Sequence, residues 1–157
     1  TCSIAPRSGT TAASMAASAV DTVMRERTPP EANPAARLRT VIELQLGLLD
    51  GERDLAEVVT MILRQSPEVM KERAAPKFSR YLESISEIIS AGQKDGTFRP
   101  DVSPGLVARA VFGALDGLAL TWALGKADKG GLTGTAAQIA ELFLGGLAPA
   151  SSHKKTR

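Results

Sequence analysis

Apolar residues along this chain recur at three- and four-residue steps, and no stretch alternates with a period of two, so the pattern predicts helices and no sheet. Over 11–27 alanine is dense and Met15, Ala19, Val20, Val23 and Met24 share one side. Pro29 and Pro30 end that run, because proline cannot continue the hydrogen-bond ladder. Asn33-Pro34 opens the next helix: Asn is a strong N-cap, and proline at the first helical position wastes no donor. Leu38, Val41, Ile42, Gln45, Leu46 and Leu49 follow at helical spacing until Gly51. A third run covers 53–64, and Ser66-Pro67-Glu68 repeats the start signal for a helix reaching about Lys94. Its apolar row is Phe78, Leu82, Ile85 and Ile89, with Tyr81 and Ile88 beside it, and Pro76 predicts a kink or a late start. Ser103-Pro104 starts a fifth helix by the same capping rule, over 104–124, and a last helix covers 135–147. The expectation is an all-α bundle of about six helices in one domain over 11–148, between an irregular segment at 1–10 and a basic, solvated tail at 149–157.

The fifth helix carries the most information. Within 104–124 only Arg109, Asp116 and Thr121 are clearly polar, whereas a surface helix is polar over more than half its circumference. A membrane span is rejected, because Arg109 and Asp116 would lie mid-span at about 3 kcal/mol each. Seven residues apart, they share one stripe, which suits a protein–protein seam or a cavity edge. Ala110, Gly113, Ala114 and Gly117 form rows of small residues that let another helix approach closely. The last helix is also apolar on more than one side. Two neighbouring helices with surplus apolar surface fit a two-fold, four-helix interface with a second copy, built on Arg109, Gly113, Asp116, Gly117, Leu120, Ile139, Phe143 and Leu147. The alternative is that both helices are core of a monomer.

Composition narrows the function classes. Of 157 residues, 43% are hydrophobic and 23% charged, a globular balance. The net charge of +2, from 19 basic and 17 acidic residues, is too small for a dedicated nucleic-acid binder. Lys71, Arg73, Lys77, Arg80 and Lys94 are interleaved with Glu68, Glu72, Glu83 and Glu87, which reads as a solvated helix face. The single Cys2 builds no disulfide framework or cysteine zinc site, and the one histidine, His153, falls in the tail. No catalytic group, metal site or cofactor is therefore expected. The first twenty residues carry no secretory signal, so the expected compartment is the cytoplasm. The chain starts at Thr1, as a fragment or processed product would.

The stretch Ala91-Gly92-Gln93-Lys94-Asp95-Gly96-Thr97-Phe98-Arg99-Pro100-Asp101-Val102-Ser103-Pro104, followed by Ala110-Val111-Phe112-Gly113-Ala114-Leu115-Asp116-Gly117-Leu118 and then Trp122, resembles the C-terminal part of TetR-family transcriptional regulators. The run from Leu55 to Leu63-Arg64-Gln65-Ser66 is similar to the branch of that family that binds fatty acyl-CoA and represses fatty-acid degradation genes. The resemblance covers about 35–147. It implies dimerisation through the last two helices and a ligand pocket among the first four, with the inner side of the fifth. Candidates to line that pocket are Leu46, Leu49, Met61, Ile62, Phe78, Leu82, Ile85 and Phe112, each of which also suits ordinary core. Arg64 and Gln65 are placed to orient a polar head group, although a helix-end arginine also serves terminal carbonyls. Nothing in 1–34 matches the family's helix-turn-helix, so DNA contact is expected only through a head domain that these residues do not encode. The expected partners are a second copy and a small apolar effector of the long-chain acyl-CoA kind. The competing reading is a structural dimerisation bundle with no ligand.

Overall fold

The computed structural model describes residues 29–52, 75–125 and 131–149 together with the single positions Thr22, Glu26, Arg27, Asp54 and Ala56, and four helices run through the three described stretches. The first, α1 (Pro34–Leu49), starts as its sequence dictates. The Asn33 carboxamide accepts from the N–H groups of Ala35 (2.8 Å) and Ala36 (3.4 Å), and Pro34 occupies the first position, where no donor is missed. Helix α2 (Ala75–Asp95) has Pro76 in its first described turn. The expected start near Pro67 lies outside the described residues. Helix α3 (Pro104–Ala123) begins one residue after Ser103, but the serine hydroxyl makes no capping bond, contrary to expectation. Its carbonyl instead takes the N–H groups of Leu106 and Val107, both at 3.0 Å. Thr121, polar on an apolar helix, bonds back to the carbonyls of Gly117 and Leu118, each at 3.0 Å.

Helix α4 (Gly131–Leu147) starts four residues before the expected 135. The cause is a distant side chain. Asp50, just past the end of α1, accepts from the N–H groups of Leu132 (3.3 Å) and Thr133 (3.1 Å) and from the Thr133 hydroxyl. It thus supplies the cap that the local sequence lacks. Gly131 carries φ +67°, and a Cβ there would stand 2.9 Å from Asp50 Oδ1, so both the backbone turn and the close approach require glycine. These hydrogen bonds lower the Asp50 pKa, the Thr133 hydroxyl first.

The core is one cluster built from Leu38, Val41, Ile42 and Leu46 of α1, Ile85, Ile88 and Ile89 of α2, Val111 and Leu115 of α3, and Ala136 and Ala140 of α4. Packing is uneven. Helix α1 lies chiefly on α4 and α2 chiefly on α3, while α1 meets α2 and α3, and α3 meets α4, more lightly. The α1/α4 pair runs antiparallel, with Asp50 at the start of α4 and an Arg39–Glu141 ion pair farther along. Among the described residues there is no strand. Thr22, Glu26 and Arg27 are helical within the helix expected at 11–27, and Asp54 and Ala56 within that expected at 53–64. The remainder of those two helices lies outside the described residues.

The connector between α2 and α3 is tied on three sides. Phe98, only 2% exposed, folds back over Gly92 and donates its N–H to the Gly92 carbonyl at 2.8 Å. The Gln93 amide donates to the carbonyls of Arg99 (3.0 Å) and Val102 (2.7 Å). The Arg99 N–H reaches the Leu147 carbonyl at the end of α4, at 2.8 Å. Its guanidinium grips both Asp101 oxygens at 2.6 Å.

Candidate ligand site and dimer face

Of the expected pocket residues that are described, Leu46, Leu49 and Ile85 belong to the buried core and Leu82 packs against it, while Phe78 and Phe112 pair with one another between α2 and α3. Phe78 and Phe112 stand edge to face, ring centroids 4.7 Å apart, and Tyr81 approaches the same Phe112 ring at 6.1 Å. These are favourable aromatic geometries, and they join α2 to α3. Leu82 packs half-buried against the core, whereas Leu46 and Ile85 are fully buried and Leu49 is 9% exposed at the edge. Met61, Ile62, Arg64 and Gln65 lie outside the described residues. The structure adds two side chains that the sequence reading did not assign to the site. The Tyr81 hydroxyl donates to Gln45 Oε1 of α1, a side-chain hydrogen bond that joins α1 to α2. Burial pushes the Tyr81 phenol above its ordinary pKa, partly opposed by the bond to Gln45, so it remains a proton donor across the ordinary pH range. The clue was Gln45 itself, a polar side chain inside the apolar row of α1. A separate groove on α2, lined by Glu83, Ser86, Glu87, Ser90, Ala91 and Lys94, involves none of the expected pocket residues.

The expected interface residues lie on α3 and α4. Arg109, Gly113 and Gly117 are exposed on α3, and Asp116 and Leu120 are half-buried. A Cβ added at Gly113 or Gly117 would meet nothing within 4 Å. Ile139 and Phe143 are half-buried on α4. Leu147 is buried within the single chain, where its carbonyl anchors the connector. Large apolar side chains not anticipated for this face stand in the open: Leu106 and Leu124, each 56% exposed, and Leu142, 69% exposed. Helix α3 is long and apolar enough to cross a membrane by length and composition, yet only 28% of that stretch is buried inside the chain.

Comparison with known proteins places this arrangement. The family model described as YsiA-like protein, C-terminal region, of TetR type, matches residues 15–146. A fatty acid metabolism regulator protein of Bacillus subtilis is 26% identical over 124 residues, 79% of this chain, and the chain spans 63% of that relative's length. Among solved structures, the fatty acid degradation regulator FadR of Bacillus halodurans superposes with a TM-score of 0.77 at 22% identity, over 88% of this chain and 71% of that one. FadR of Bacillus subtilis in complex with stearoyl-CoA superposes with a TM-score of 0.74 at 24% identity, over 87% and 74%. These relatives are transcriptional regulators, and at such identities the structural likeness establishes the shared fold. The chain belongs to the YsiA-like C-terminal region family of TetR-type regulators.

Proposed function

We propose that this chain is the effector-binding and dimerisation module of a TetR-type transcriptional repressor, and that its effector is a long-chain fatty acyl-CoA. The observation that carries the reading is the group Leu46, Phe78, Leu82, Ile85 and Phe112. Leu46 and Ile85 are core residues of α1 and α2 with Leu82 packed on them, and Phe78 pairs with Phe112 between α2 and α3, in a chain that shares the fold of a regulator crystallised with stearoyl-CoA. Apolar side chains contributed by facing helices are what an acyl chain would contact, with few polar groups to orient it. The module performs no catalysis and acts in the cytoplasm. DNA is reached through a head domain outside these residues, and acyl-CoA binding releases the intact repressor by shifting it between two arrangements of unequal effector affinity.

The same module pairs with a second copy through α3 and α4. The support is the exposed apolar side chains Leu106, Leu124 and Leu142, flanking the open Gly113 and Gly117, on helices too oily to remain wet. One observation favours a second reading, a dimerisation bundle without a ligand: Leu46 and Ile85 are already fully buried, as plain core would be. Calorimetric titration with stearoyl-CoA separates the two. Saturable binding at one site per chain supports the effector reading, and no heat with stearoyl-CoA or shorter acyl-CoA species leaves only the structural bundle.

A further inference from the structure

The side chains assigned above to the acyl chain, Leu46, Phe78, Leu82, Ile85 and Phe112, carry no polar atom, yet a polar pair stands among them. Tyr81 falls between Phe78 and Leu82 on α2. Its ring stands edge to face with Phe112 of α3, centroids 6.1 Å apart, and its hydroxyl donates to Gln45 Oε1 of α1, next to the fully buried Leu46. A buried phenol needs an acceptor, and any carbonyl oxygen would serve. A glutamine brings more than the phenol uses, because its amide also holds two N–H donors. Among the described residues none accepts from those donors, and Gln45 is half-buried, so they are within reach of an incoming molecule. Burial keeps the Tyr81 phenol protonated across the ordinary pH range, so the pair keeps one polarity: the phenol donates, and the amide's own donors stay available. Tied at its oxygen, the amide presents them in a fixed direction.

We infer that Gln45 donates to the thioester carbonyl of the effector, and that Tyr81 is the positioning residue that holds the amide for it. This deepens the effector reading and rests on it. A saturated acyl chain has no acceptor of its own, and the carbonyl oxygen is the one it carries where chain meets head group. The phosphates of the head group are charged and call for cations, which a neutral amide beside leucine and phenylalanine does not supply. The contact also confers specificity. A ligand of the same length without the carbonyl oxygen would cover the Gln45 donors and leave them unpaired, a cost that the thioester avoids.

Calorimetric titration of the whole chain with two probes tests this: stearoyl-CoA, and S-octadecyl-CoA, the thioether of equal chain length that lacks the carbonyl oxygen. The wild type should bind the thioester about tenfold more tightly, the weight of one buried hydrogen bond. Gln45→Met, close in length and shape, should bind both compounds alike, having lost affinity for stearoyl-CoA while keeping it for the thioether. Tyr81→Phe should retain about a threefold preference, because the amide stays but is no longer held. A merely structural role of either residue would weaken both compounds equally and leave the ratio at its wild-type value. A wild type that binds both compounds equally, or a tenfold ratio that survives Gln45→Met, overturns the carbonyl contact and leaves the effector reading standing. A wild type that binds neither compound overturns the effector reading, and the contact with it.

Discussion

Replacing Gly92 with alanine should damage this domain although alanine is the better helix former. A Cβ at position 92 would lie 2.2 Å from Cδ2 and 2.6 Å from Cε2 of Phe98, far inside contact distance. The flat face of a buried ring cannot yield as the tip of a flexible side chain does, and Phe98 is only 2% exposed. If the ring is expelled, the loss is about 2–3 kcal/mol of buried aromatic surface. If it stays, the overpacking costs about 1–3 kcal/mol. Against this stands a gain of at most about 1 kcal/mol from helix propensity, so the net loss is about 1–2 kcal/mol. Gly47→Ala is the matched control: Gly47 lies in α1, is exposed, and has nothing within 4 Å of its would-be Cβ, so this variant should gain up to about 1 kcal/mol. Urea unfolding of both variants at one protomer concentration reads the difference, expected at about 2–3 kcal/mol. A Gly92→Ala protein as stable as Gly47→Ala would refute the stacking of Phe98 on α2.

The remaining predictions concern the dimer face and the helix caps. Gly117 is exposed and a Cβ there would meet nothing within 4 Å, so loss of the dimer in Gly117→Leu by sedimentation, with unchanged helix content, would come from a partner; the expected weakening is at least about tenfold. Asn33→Ala should lower stability by about 1 kcal/mol in urea titration, and Asn33→Asp should leave it nearly unchanged. Asp50 has its pKa lowered by the Thr133 hydroxyl, then by the Thr133 and Leu132 N–H groups, so its contribution is complete above the ordinary aspartate range and is lost as pH falls through the depressed value. Asp50→Asn should accordingly flatten the fall in urea midpoint between about pH 5 and pH 3.

The local signals in the sequence were sound where the partner group lies within a turn. Asn33-Pro34 and the period of α1 are examples, for there the cap and its donors are two and three residues apart. The start of α4 was misjudged because its cap is Asp50, 82 residues from Leu132 in the chain, and no local pattern encodes such a bond. Ser103 carried the right residue type for a cap but makes no side-chain capping bond, and the Leu106 N–H, one donor such a cap would take, goes to the Ser103 carbonyl instead. The Gly92-to-Val102 stretch was legible as a motif, while its reason, a ring lying on a glycine and a strap to Leu147, needed the third dimension. Gln45 and Tyr81 were visible as polar atoms in apolar rows. Their pairing depends on how α1 crosses α2, which periodicity does not give.

Native mass spectrometry of the purified chain, with stearoyl-CoA added at stoichiometry, tests the central claim most directly. The account predicts a species at twice the 16.5 kDa chain mass that takes up two acyl-CoA molecules without dissociating. A single 16.5 kDa subunit at high concentration, with its apolar α3 and α4 faces in water and no acyl-CoA retained, would contradict it.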